Sequence, residues 1–361
     1  MPSILTKSKG KSATINRGSD YYRYPMEIGG ACMISRTKPE LVLEQVQNMF
    51  NSACLGKVIS FDKLGDGEYN AVYDVVTDMG NYVLKVSPLD KTGILTYEQD
   101  MMRGEVFWYA QIRTHTNVKV PYVYYKDFSH TVFPSDYFIM ERMVGEQLNN
   151  ADLTNDEKIW CKEEIARIVA KFHKVQNDKF GYIQNRLYDS WYQALRNMTL
   201  NLIKDTKRAG RKTKRGEKLL KYIDEYKDVL EAVPCSMVNL DMWYGNILCI
   251  RKNDKIELIV IDPERTVWGD AIFDFVNLEF EKMLNKKTTS LKAYNEIAKI
   301  KINCTKEEMI RFALGIGYLA LIQETEKYYR YTPHHFGWWR NIASCKFLYK
   351  NAFRILKQGL E

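Results

Sequence analysis

No stretch of this sequence is long and apolar enough to cross a bilayer. The best run, Phe312 to Ile322, falls far short of the roughly 20 residues a spanning helix needs. The opening stretch MPSILTKSKGKSATINRG has no apolar signal core, so no secretion signal is expected. There are seven cysteines, an odd number without tight spacing, which argues against a disulfide framework and for a reducing cytoplasm. No Cys/His spacing suggests zinc, and no internal repeat is present. What remains is an ordinary soluble composition, 45% hydrophobic and 27% charged over 361 residues. A chain of that length can bury a sizeable core in one large or two modest domains.

The net charge of +8 is unevenly placed. Residues 1–38 hold seven Lys/Arg against two Asp/Glu, and residues 204–221 hold nine against two. The rest of the chain is therefore mildly acidic. A nucleic-acid reader usually spreads basic residues over a face and interleaves aromatics. Here they sit in one tail and one polar, helix-like stretch, which reads as a solvated face. Nucleic acid is not an expected partner, although an RNA-associated protein using residues 204–221 is a competing reading.

Residues 1–36 read as a flexible basic tail. Thr37-Lys38-Pro39-Glu40 has the form of a helix start, with a capping Thr, an early Pro and a Glu to close the box. Strand-like runs follow at Lys57–Asp62, Ala71–Thr77 and Asn81–Ser87, then a helix near Tyr97–Arg113, then strands at Pro121–Asp127 and Asp136–Met143. Three strands, a helix and two strands predict an antiparallel sheet with one helix against it. After Val144-Gly145-Glu146 the pattern turns helical. Capping boxes stand at Thr154-x-x-Glu157 and Thr305-x-x-Glu308, and a β excursion interrupts at residues 235–262. Further helices are expected near 190–206, 214–230, 270–284, 291–300 and 339–357.

The most informative stretch is residues 238–274. Ile247–Ile250 and Ile256–Ile261 are apolar strand runs joined by a turn at residues 252–255. A hairpin there brings Asn246, before its first strand, next to Asp262, after its second. An amide oxygen beside a carboxylate makes a pair of hard ligands of the kind Mg²⁺ prefers. Asp241 lies five residues before Asn246 and can reach the same space. One acid to orient a hydroxyl and two groups to hold metal on phosphates are a minimum set for phosphoryl transfer. By spacing alone, an Asp/Asn-rich set of turns is the alternative.

This stretch resembles the catalytic segment of the aminoglycoside phosphotransferase family, relatives of choline kinases and, more distantly, of protein kinases. The resemblance is carried by Asp241-x-x-x-x-Asn246, by Ile261-Asp262-Pro263-Glu264, and by Trp268-Gly269-Asp270 followed by Phe273-Asp274. It implies Asp241 as catalytic base, Asn246 and Asp262 as magnesium ligands, and Asp274 as a brace for the loop backbone. Where the family usually has His two residues before the catalytic Asp, this chain has Asn239, which can also donate and accept hydrogen bonds. Upstream, alternation puts Lys85 with Val83 on the face opposite Tyr82, Leu84 and Val86. Lys85 resembles the nucleotide-phosphate lysine of kinase folds. Glu105 is the expected partner holding it, with Glu98 the alternative.

Gly65 and Gly67, in the turn before the Lys85 strand, are candidates to cover phosphates. Glu141 and Met143 would present backbone groups to the base. His173 reads as structural. The helical region after residue 280 is expected to supply the acceptor pocket, with Glu324, Glu326 and the aromatics from Tyr328 to Trp339. Glu264, Asp270 and Glu324 are the acidic residues expected to touch the acceptor.

The sequence thus predicts an α+β, bilobed, protein-kinase-like fold. An antiparallel-sheet lobe over residues 37–145 would precede a mostly helical lobe over 146–361. The expected activity is ATP- or GTP-dependent phosphoryl transfer, with Mg²⁺, to a hydroxyl of a small molecule, by a monomer or dimer with no membrane partner. An aminoglycoside or other antibiotic, a sugar, or an amino alcohol would be the acceptor. A kinase-fold binding protein with impaired turnover is the alternative.

Overall fold

The computed structural model describes residues 39–360 apart from 66–68, 254 and 280–283. The expected basic tail, Gly67, and part of the Thr37 helix start lie outside the described residues. The first element is α1 (Leu43–Ala53), followed by β1 (Val58–Lys63), β2 (Ala71–Thr77), β3 (Gly80–Val86), α2 (Met101–His115), β4 (Val123–Asp127) and β5 (Tyr137–Glu141). The helix begins later than its capping pattern suggests. Tyr73 Oη donates to Pro39 O at 2.8 Å and accepts from Leu41 N at 3.2 Å, which ties that segment to the sheet. Gln45 Oε1 then caps Val42 N at 3.0 Å.

The five strands form one antiparallel sheet in the order β1-β2-β3-β5-β4. Its period-two alternation divides β3 between two cores. Tyr82, Leu84 and Val86 pack with Val46, Met49 and Phe50 of α1 in a small outer core. Lys85 and Val83 point the other way. On that inner face Phe138 of β5 and Trp108 and Tyr109 of α2 join the main core, which continues into the helical region.

That region contains β6 (Glu146–Gln147), α3 (Asn155–Phe172), α4 (Trp191–Arg208), α5 (Lys214–Glu225), α6 (Lys227–Glu231), β7 (Ser236–Val238), β8 (Ile247–Lys252), β9 (Lys255–Val260), β10 (Val267–Gly269), α7 (Phe275–Leu278), α8 (Thr289–Ile297), α9 (Lys306–Arg330) and α10 (Phe336–Leu360). Both capping boxes form. Thr154 and Thr305 side chains accept from Glu157 N and Glu308 N, each at 3.3 Å, and the two Glu side chains accept the reciprocal bonds. The helix expected over 270–284 is replaced, in its described part, by a 3-10 turn at Ala271–Asp274 and the short α7. Asp270 Oδ1 accepts from Ile272 N at 3.2 Å and starts that turn.

Two small sheets carry the chemistry-bearing loops. In one, β7 pairs with β10; in the other, β8 lies between β6 and β9. The β8–β9 register runs from Ile247↔Val260 to Lys252↔Lys255. Its tight turn is possible because Asn253 takes φ 47°, a left-handed conformation Asn tolerates. At the other end Ile261 N donates to Asn246 O at 3.0 Å, so the hairpin sets residues 246 and 262 side by side.

Candidate active site

The loop from Asn239 to Asn246 is held from below. Asp274 is fully buried, and its carboxylate accepts from Asn239 N at 3.1 Å, Leu240 N at 2.8 Å and His173 Nε2 at 2.9 Å. His173 also bonds Tyr294 Oη at 2.9 Å, so its place in this structure is interior. Asn239 Oδ1 accepts from Asp241 N at 3.0 Å, closing a short side-chain turn ahead of the acid. Leu240 is forced to φ 61°, which costs a residue with a Cβ about 1–2 kcal/mol. The three bonds to Asp274 hold that conformation. Gly245 is required for another reason: a Cβ there would lie 2.1 Å from the Trp243 ring.

Asp241 points to Asn246, whose Nδ2 donates to Asp241 Oδ2 and O, both at 3.1 Å. Burial raises the Asp241 pKa above the usual carboxylate range, and the neighbouring Asp262 and Glu326 carboxylates add to the rise. The Arg265 guanidinium opposes it, with Nε 3.8 Å from Asp241 Oδ2.

Lys85 is buried beneath the sheet at the centre of an acidic cluster. Its ammonium lies 2.8 Å from Glu105, 3.2 Å from Glu264, and in close contact with Asp262. Burial alone would push the Lys85 pKa down; the charges of Asp262, Glu105 and Glu264 reverse that and hold it well above its ordinary value. Glu98, the alternative partner, is elsewhere: it pairs with Arg330 of α9.

The donor set suits a hard divalent cation. Carboxylate oxygens of Glu105, Asp262 and Glu264 lie within 4.8 Å of one another. Glu105 is buried around Lys85, whereas the Asp262 side chain is 39% exposed. Its second oxygen has no partner among the described residues. Asn246 uses its Nδ2 on Asp241, which leaves Oδ1 as the acceptor. An outward carboxylate oxygen and an amide oxygen on adjacent chain segments fit Mg²⁺. Asp262 itself takes φ 59°, and its N–H donates to Tyr109 Oη at 2.9 Å.

Several expected acceptor residues belong elsewhere. Glu264 lies with Lys85 and accepts from Asn70 Nδ2 at 3.2 Å. Asp270 is buried and paired with Arg311 at 2.8 Å. Glu324 accepts from Thr213 Oγ1 at 2.8 Å and Tyr349 Oη at 3.0 Å, between α5, α9 and α10. Positions 324 and 326 point to different faces of a helix, and Glu326 is the one that reaches Asp241's neighbourhood. Glu326 Oε1 accepts from Arg265 at 2.7 Å and from Tyr97 Oη at 2.8 Å. The Glu141 N–H donates to Tyr122 O at 2.7 Å, which leaves at most the Glu141 carbonyl for a base. Met143 is half-buried just past β5, and Gly65 takes φ 61° just past β1.

Arg265, Tyr97 and Tyr182 were not anticipated. Arg265 follows Glu264 directly and could have been noticed there. Tyr97 and Tyr182 carry no local signal; their rings stack at 5.8 Å only in the folded chain.

The family model of the phosphotransferase enzyme family (APH) matches residues 60–280, and the chain belongs to that family. No curated protein matches the chain in sequence. Among solved structures it is similar to a candidate aminoglycoside phosphotransferase from Ralstonia eutropha JMP134. The TM-score is 0.63 at 14% identity, over 88% of this chain and 99% of the other. A candidate fructosamine-3-kinase from Haemophilus somnus 129PT aligns with a TM-score of 0.60 at 16% identity, over 88% and 97%. The phosphotransferase APH(2″)-IIIa, solved with GDP and kanamycin, aligns with a TM-score of 0.55 at 13% identity, over 88% and 98%. The fold is thus that of the protein-kinase-like phosphotransferases, an antiparallel-sheet lobe followed by a helical one. No helix among the described residues is long and apolar enough to cross a membrane.

Proposed function

We propose that this phosphotransferase moves the terminal phosphate of ATP or GTP to a hydroxyl of a small molecule, with Asp241 as the base. The observation that carries the reading is the convergence of four segments distant in sequence. Asn246 donates to Asp241 and stands beside Asp262 across the hairpin, and Asp262 contacts Lys85, which pairs with Glu105. The same reading puts the boundary between the lobes near residue 145.

In this scheme Asp241 orients the acceptor hydroxyl and takes its proton as the O–P bond forms, while the nucleoside diphosphate leaves. Its carboxylate is aimed by Asn246, and Arg265 opposes the rise in pKa that burial imposes on it. Lys85, held by Glu105, steers the non-transferred phosphates. Asn246 and Asp262 would hold Mg²⁺, which when bound neutralises phosphate charge. Asn239 supplies the loop bond to Asp241 N, and Asp274 fixes the loop backbone, so the missing family His leaves the brace intact.

Thermal shift with ATP or GTP, with and without Mg²⁺, tests the reading through ligand-linked stabilisation. The nucleotide should stabilise wild type much more with Mg²⁺ than without, and Asp262→Asn should abolish that difference. Equal shifts in both conditions would remove the metal assignment. Absence of nucleotide consumption with every hydroxylated acceptor, in a protein that binds Mg²⁺–nucleotide, would favour a binding protein.

A further inference from the structure

A pocket of about 200 Å³ shares two of its lining residues, Tyr97 and Tyr182, with the surroundings of Asp241 and Arg265. Its walls include the stacked Tyr97 and Tyr182 and, from the first turns of α4 onward, Asn197 and Asn201, with Asn185 at the edge. The stack is common to this pocket and the catalytic group. The Arg265 guanidinium lies 5.8 Å from the Tyr97 ring centroid and 3.8 Å from Asp241.

Three properties of the pocket bear on what it holds. First, its volume is below the roughly 300–1,000 Å³ that takes a drug-sized ligand, so it fits one ring or a short polyol. Second, its free neutral polar groups are amides together with the Tyr188 hydroxyl. Asn201 Nδ2 donates to Asn197 Oδ1 at 3.2 Å. Asn197 Nδ2, Asn201 Oδ1 and the whole Asn185 amide are then without partners among the described residues. Such groups both donate and accept, as vicinal hydroxyls require. Third, its carboxylate is already used. Asp205 accepts from Thr96 N at 2.8 Å and Thr96 Oγ1 at 2.7 Å, and pairs with Arg208 at 3.1 Å. The one other charged lining residue, Arg186, is a cation that makes no close ion pair among the described residues, its guanidinium lying 5.5 Å from the Tyr188 ring centroid. A polycation entering here meets no open negative charge and one positive one.

We propose that this pocket binds the non-reacting part of the acceptor, and that the acceptor is a neutral, polyhydroxylated molecule of one ring or less rather than a multi-ring polycation. Its ring face would lie on the tyrosine stack, its hydroxyls on the three asparagines, and one remaining hydroxyl toward Asp241. This deepens the phosphotransferase reading and rests on it.

Ligand-observed NMR on the full chain tests the proposal, with D-glucose, D-ribose and myo-inositol as neutral probes and kanamycin as the polycation. At least one neutral probe should bind, and more tightly than kanamycin. Asn197→Leu with Asn201→Leu should weaken that binding about tenfold or more, the loss of at least one hydrogen bond. Asn185→Ala, at an exposed position, should weaken it in the same direction without touching the fold. Binding by none of the neutral probes, tighter binding of kanamycin, or wild-type affinity in both variants would overturn the proposal. Mg²⁺–nucleotide binding in the same samples separates the two levels. Where it is retained and the sugars fail, only this inference falls; where nucleotide also fails to bind, the phosphotransferase reading falls with it.

Discussion

Arg265→Gln should move the acid limb of the activity profile to higher pH. Burial pushes the Asp241 carboxyl up, and of the groups that pull it back down Arg265 is the strongest. Its Nε lies 3.8 Å from Asp241 Oδ2. Two unit charges at about 4 Å interact by about 4 kcal/mol at an effective dielectric of about 20. That figure is an upper bound on the pull Arg265 exerts on the Asp241 carboxyl. Both side chains are partly solvated and Asn246 still donates to Asp241, so the rise stays below that bound. The sign follows from the role of a base, which works only when ionised. Raising its pKa removes activity at low pH and restores it as pH rises. Measuring kcat/KM for nucleotide consumption from roughly pH 5 to 9 reads this directly. Arg265→Lys keeps a charge but not the two-pronged geometry, and should shift the limb less. An acid limb that does not move, or an equal loss at every pH, would refute the reasoning and leave Arg265 a binding residue only.

Other perturbations have separable outcomes. Asp241→Asn should cost turnover on the order of 10²-fold or more while nucleotide affinity persists. Because burial holds the folded-state pKa of Asp241 above its unfolded value, the protonated carboxyl favours the fold; that contribution is full below the unfolded pKa and is lost as pH rises through the folded pKa. A neutral Asn should therefore leave the melting temperature at neutral pH unchanged or higher; a clear drop would contradict this. Asp274→Ala strands two backbone N–H groups and His173, and should destabilise the chain by about 3–5 kcal/mol in urea titration. Gly245→Ala should reduce turnover more than stability, since the clashing Trp243 ring is partly exposed and can move at the expense of loop geometry; kcat and melting temperature falling together would argue otherwise.

The part of the site legible in the sequence is the part built by neighbours along the chain. A hairpin must juxtapose the residues flanking it, so Ile247–Ile250 and Ile256–Ile261 were enough to pair Asn246 with Asp262. Strand alternation was enough to put Lys85 on the inner face, away from Leu84 and Val86. The choice between Glu105 and Glu98 was harder, because both precede or lie on the same helical stretch. The structure separates them by a break. Residues 96–98 form a 3-10 turn, Asp100 takes φ 53°, and α2 starts afresh at Met101. That break cancels the helical register on which the two glutamates looked equivalent.

Tyr97, Tyr182 and Arg265 were not legible as parts of one site because no two of them are near in sequence. Tyr97 comes from the segment before α2, Tyr182 from the loop after α3, Arg265 from the turn after β9, and Glu326 from α9. They are joined as a chain in which Tyr97 Oη and Arg265 share one oxygen of Glu326. The basic stretch 204–221 shows the same limit from the other direction. Lys207, Arg211, Lys212 and Lys214 are exposed, as a solvated face requires, and Arg215 is half-buried with its guanidinium 5.8 Å from the Tyr349 ring centroid. Arg208 is exposed too, yet it donates to Ile94 O and, at 3.1 Å, to Tyr329 Oη while pairing with Asp205. Asp205 in turn holds Thr96, next to Tyr97. One residue of a charge run that composition assigns to solvent therefore anchors the segment that supplies Tyr97. Neutralising the whole run should act on the acceptor through Arg208 alone. Restoring only Arg208 in a Ser/Gln-substituted run should recover the wild-type acceptor KM; an acceptor KM that stays altered would show that the other basic residues reach the site themselves.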